Sequence, residues 1–132
     1  MKTNFLGLDF GQKRVGVAIA LEGILASSIA ILENDKKFWL KLSKLVEEEK
    51  IKVIVVGWPL SLDGSFSSQT QKTAEFMDVL TQKFPKVKIE KQDERMSSIE
   101  ARKNLSSSSP LPFIDAESAR IILQSYLDSR KE

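Results

Sequence analysis

Residues Ile51 to Gly57 read IKVIVVG, an almost unbroken run of β-branched apolar side chains. A strand with no polar alternation has no face to give to water, so it belongs in the middle of a sheet covered on both sides. That requirement excludes an all-helical bundle and a sheet with one wet face. It demands partner strands and at least two layers of helix.

The rest of the chain supplies them. Asn4–Phe10 (NFLGLDF) and Val15–Ala20 (VGVAIA) read as strands joined by a turn at Gly11-Gln12-Lys13-Arg14, and Ile24–Leu32 reads as a third. Short connections between the three imply an antiparallel opening. Lys36–Lys50 has a helical period, with Phe38, Leu42, Leu45 and Val46 on one face and Asn34 or Asp35 as N-cap. A loop follows the central strand over Trp58–Phe66, and its SLDGS stretch suits a flap. A second helix is expected over Ser68–Phe84, with Thr73, Met77, Leu80 and Phe84 in register and Pro85 as its stop. Val87–Gln92 reads as a strand nearer the edge. Ser97–Glu100 has the spacing of a capping box for a helix to about Leu105. A Ser- and Pro-rich loop over Ser106–Pro112 and a last helix from about Asp115, with Ala119, Ile122, Leu123 and Tyr126 on its apolar face, complete the chain. The fold class is α/β: a mixed sheet, antiparallel strands first and parallel strands after, flanked by helices, in one domain over residues 1–132.

Composition narrows the chemistry. The chain has no Cys and no His. This excludes thiol nucleophiles, thiolate zinc sites, imidazole bases and Ser-His-Asp triads. The excess of 20 Lys plus Arg over 18 Asp plus Glu gives only +2, compatible with a nucleic-acid partner without arguing for one. No apolar run approaches the ~20 residues of a membrane span, and Asp9 interrupts the N-terminal apolar run too early for a signal peptide. The expected location is the cytoplasm, with no membrane partner.

Acidic residues stand where elements begin or end. Asp9 closes the first strand, Asp93-Glu94 follows the Val87–Gln92 strand, and Asp115 opens the last helix. Sites in such sheets form beyond the carboxyl ends of parallel strands. Carboxylates converging there without His or Cys suit a hard, oxygen-seeking ion, Mg²⁺ or Mn²⁺. Ions of this kind assist phosphodiester hydrolysis without an imidazole. Each residue also has a plainer reading: Asp9 as a turn former, Asp115 as an N-cap, Glu94 as an ion-pair partner of Arg95. Arg14 and Arg95, with Lys13, are candidates for phosphate contact. Lys36, Lys37, Lys41 and Lys44 read as a solvated helix face, and Lys83, Lys86, Lys88 and Lys91 as an electrostatic track that Glu90 dilutes. Trp58 reads first as a core contact, with base stacking as the alternative.

Four segments carry a resemblance: LGLDFGQKRVGVAIA at 6–20, VIVVGWPLSLDGS at 53–65, DERMSS at 93–98 and DAESARIILQSYLD at 115–128. In these motifs and their order the chain resembles the YqgF, or RuvX-like, family of RNase H-like nucleases. The resemblance implies an RNase H-like fold with a five-stranded mixed sheet. It implies a metal-dependent acidic site carried by Asp9, Glu94 and Asp115 as catalytic residues. The metal ligands would be Asp9, Asp115 and the Asp93-Glu94 pair, with Glu94 favoured, and Lys13, Arg14 and Arg95 would bind substrate. It implies 5′-end processing of pre-16S ribosomal RNA, or cleavage of branched DNA such as Holliday junctions. Related resolvases act as dimers, so a homodimer is an expectation here too. A non-catalytic nucleic-acid-binding module of the same fold is the competing reading. A phosphate loop of the sugar-kinase type, suggested by Asp9, Gly11 and Gly16, would need a second domain that 132 residues do not supply.

Overall fold

The computed structural model describes residues 3–61, 63–94 and 111–130, with backbone alone for 111–116. The strands are β1 (Asn4–Phe10), β2 (Arg14–Ala20), β3 (Ser27–Glu33), β4 (Ile51–Trp58) and β5 (Lys88–Asp93). The helices are α1 (Phe38–Glu48), α2 (Ser68–Lys83) and α3 (Leu111–Ser129). The five strands form one sheet in the order β3-β2-β1-β4-β5. β1, β2 and β3 pair antiparallel, while β4 pairs parallel with both β1 and β5. This is the mixed sheet the central strand demanded, with β3 and β5 at its edges.

Side chains alternate across each strand, so two cores form. On one face Leu6, Leu8, Ile54 and Val56 pack under Phe38 and Leu42 of α1 and Phe76 and Leu80 of α2. On the other, Phe5, Val53 and Val55 meet Ala119, Ile122, Leu123 and Leu127 of α3. α3 lies close because β1 carries Gly7 beneath it. A Cβ there would stand 2.7 Å from Leu123 Cβ and 3.1 Å from the Ala119 carbonyl oxygen.

Several boundaries differ from those read in the sequence. β3 starts at Ser27 rather than Ile24, because Leu21–Gly23 forms a short 3-10 turn with Gly23 at φ +67. The N-cap of α1 is Lys37, without a side-chain cap bond. Asp35 instead turns the preceding chain, its carboxylate accepting from the Lys37 amide at 2.9 Å. α2 buries Phe76 and Thr70 as well as Thr73 and Leu80, and Met77 and Phe84 pack at the margin. The expected Ser106–Pro112 loop ends sooner: Leu111 and Pro112 already belong to α3, where the first turn tolerates proline. The Ser97–Leu105 helix lies outside the described residues. No helix among the described residues is long and apolar enough to cross a membrane.

Candidate active site

Register gathers the acidic groups. Leu8 pairs with Val56, so the next residues, Asp9 and Gly57, turn together to the α3 face at the carboxyl ends of their strands. Gly57 pairs with Gln92 on β5, and Glu94, two residues further on, falls on that same face. The last rung is a backbone bond from the Glu94 amide to the Trp58 carbonyl oxygen at 3.2 Å. Gly57 leaves the room that Glu94 fills: a Cβ at this position would collide with the Glu94 carboxylate and stand 2.5 Å from Ile122 Cδ1 of α3.

Across that gap the Glu94 and Asp9 side chains share a hydrogen bond. Burial pushes the Glu94 carboxyl up from 4.5 to about 7. The bond to Asp9 opposes this rise, and the nearby Asp93 charge adds to it. Two carboxyls in such contact hold a proton between them in the absence of a cation. A cation at this point would take that proton's place. The donor set is entirely oxygen, which fits Mg²⁺ or Mn²⁺ and disfavours softer metals.

The other candidates fall around this pair. Asp93 is the exposed last residue of β5, opposite Trp58. Asp115 lies on α3, the helix packed over Gly7 and Gly57, as its fifth residue. That position excludes the N-cap reading, since the helix begins at Leu111. Among the described residues no three acidic side chains form a metal-binding group. The Asp115 side chain and Arg95 lie outside that description. Asp9, Lys13 and Arg14 line one cavity of about 360 Å³ together with the turn at Gly11. The α1 side braces that turn. The Asn34 amide donates to the Lys13 carbonyl oxygen at 2.9 Å, and Asn34 Nδ2 to the Gly11 carbonyl oxygen at 3.0 Å.

Sequence reading missed Gly57 as a site residue. Its signal was a glycine closing an otherwise β-branched strand, where no turn needs one. Trp58 also differs from its first reading, for it joins neither core and lies half-buried against Lys91 and Phe66.

A family model described as RuvX, Holliday junction resolvase, matches residues 3–129. A protein of Acetivibrio thermocellus named "Putative pre-16S rRNA nuclease" is 34% identical over 95% of both chains. A relative of the same name from Sulfurihydrogenibium is 38% identical over 96% of this chain and 90% of its own. Thermus thermophilus RuvC, solved with a Holliday junction substrate, superposes with a TM-score of 0.63 at 11% identity, covering 98% of this chain and 96% of that one. Such a likeness speaks for the fold, an RNase H-like one. On its full-length sequence match and its mixed sheet, the chain belongs to the RuvX, or YqgF, family.

Proposed function

We propose that the chain is a divalent-metal endonuclease that hydrolyses phosphodiester bonds, acting in 5′-end processing of pre-16S rRNA in the cytoplasm. The observation that carries this reading is the Asp9–Glu94 pair, held in bonded contact above Gly57 at the strand ends. Few structural needs would place two carboxyls together there, because each must lose water to reach the other. The names borne by relatives at 34% and 38% identity support the rRNA substrate.

Asp9 and Glu94, with Asp115 brought by α3, would hold the ion, whereas Asp93, paired with Trp58, alternates to the other face of the sheet. A bound Mg²⁺ or Mn²⁺ supplies an activated water and neutralises charge on the phosphate. The protein's own part is placement. The strand-end backbone fixes Asp9, and the Glu94–Trp58 rung fixes Glu94. Burial keeps the pair dry enough for charge to act strongly. Lys13 and Arg14, on the braced turn lining the same cavity, meet the substrate's phosphates, with Arg95 as a further candidate. Cleavage by direct water attack would leave a 5′ phosphate and a 3′ hydroxyl.

Asp9→Asn tests the reading. It should abolish Mn²⁺-dependent cleavage of a 5′-extended pre-rRNA while leaving the thermal melt almost unmoved. Cleavage at the parental rate would refute the site. The family's description as a Holliday junction resolvase favours one second substrate, so a four-way DNA junction belongs in the same assay.

A further inference from the structure

Beyond β4 the chain builds something the carboxylate site does not use. Phe66 is 58% exposed, a large apolar ring left on the surface. It stands directly before Ser67, the N-cap of α2, where an apolar residue commonly packs against the fourth helical residue. That residue is Gln71, so the usual reason for an apolar side chain is missing. Phe66 meets Trp58 instead, edge to face with ring centroids 6.1 Å apart. Trp58 in turn carries the Lys91 ammonium 4.3 Å from its ring centroid. Among the described residues Lys91 meets no carboxylate. Its neighbour Lys88 is spent on Glu90 at 3.0 Å.

Hydrogen bonds brace the described residues on both sides of Phe66. Upstream, the Gly64 amide donates to the Ser61 carbonyl oxygen at 2.7 Å and the Ser61 amide to that of Ser65 at 3.0 Å. The Asp63 carboxylate takes the Ser65 amide at 2.9 Å. Downstream, Ser67 and Thr70 cap each other's backbone, and the buried Thr70 hydroxyl donates to the Pro59 carbonyl oxygen. The Phe66 ring thus stands between two hydrogen-bonded turns. The platform is one residue along β4 from Gly57 and adjoins the Glu94 rung. Trp58 alternates to the α1 and α2 face, opposite the carboxylates, so a strand laid over the sheet's end would reach both.

We propose that Phe66, buttressed by Trp58 and flanked by Lys91, is a stacking platform for one unpaired base beside the cleaved phosphate. A fixed aromatic ring with an adjacent cation is what single-stranded nucleic acid uses: the base covers the ring and its phosphate meets the ammonium. The inference rests on the nuclease reading and adds to it that the substrate is single-stranded next to the cut.

The test measures binding apart from cleavage. A labelled single-stranded RNA is titrated in chelator and read by anisotropy. Phe66→Ala should weaken binding about tenfold with an unchanged melt, and Phe66→Trp should restore it. Lys91→Ala should flatten the slope of log affinity against log salt by about 0.7. A blunt duplex should bind Phe66→Ala and parent alike. Parental affinity of Phe66→Ala for the single strand overturns the platform. So does equal weakening on the duplex, or a change of oligomeric state with RNA affinity intact. Cleavage with Mn²⁺ is scored separately. If the parent cleaves and Phe66→Ala binds normally, only the platform fails. If nothing cleaves while Phe66→Ala binds weakly, only the nuclease reading fails.

Discussion

Glu94 shows how much of the site depends on one side chain's surroundings. In the unfolded chain its carboxyl ionises near the ordinary 4.5, but in the fold it keeps its proton to about 7. Between those values the folded chain binds more protons than the unfolded one, so stability falls as pH rises through the window and levels off above 7. The displacement corresponds to a cost of about 3 kcal/mol for ionising the group. Glu94→Gln should therefore melt with little dependence on pH between 4.5 and 7.5 in chelator, whereas the parent loses stability across that range. A parental slope retained in the variant would mean that another group is responsible. The sequence showed that Asp9 and Glu94 end strands. It could not show that they touch, because contact across the sheet depends on register, and a shift of one residue would send Asp9 to the other face.

Among the elements, β4 was legible from its side chains, since a strand buried on both faces has little choice of composition. Its extension to Trp58 was not, because only pairing with Asp93 makes that residue part of the ladder. The start of α3 was misjudged for a local reason: a serine run and a proline look like a loop, yet Pro112 occupies a helical turn that lacks an amide partner anyway. The seating of α3 on β1 turns on Gly7, which a strand pattern treats as a weak spot. Gly7→Ala should push against Leu123 and the Ala119 carbonyl and cost roughly 1–3 kcal/mol. Because α3 carries Asp115, the same change should depress cleavage more than its effect on the melt explains. Measuring both on one preparation separates the effects, and unimpaired cleavage would show that the helix position is not critical.

For the whole molecule, the acidic pair stands at the strand ends, beyond the two cores packed on the sheet. An ion that binds only the folded chain should raise the melt, by about 2.7 kcal/mol at a hundredfold excess over its Kd. Mn²⁺ should therefore shift the parent upward by several degrees and leave Asp9→Asn in place, as read by scanning calorimetry. An equal shift in both would put the ion elsewhere. The five-strand order also has a bearing on durability. Glu94 follows β5, which among the described residues is an outermost strand of the sheet. Its hold on Trp58 is a terminal hydrogen bond, and such ends fray before the interior opens. Heat should thus silence the enzyme while both cores are still intact: the Glu94 amide should exchange with deuterium far sooner than that of Val55, and turnover should vanish several degrees below the unfolding midpoint. On this expectation the perimeter of the sheet, rather than its centre, should set the working temperature.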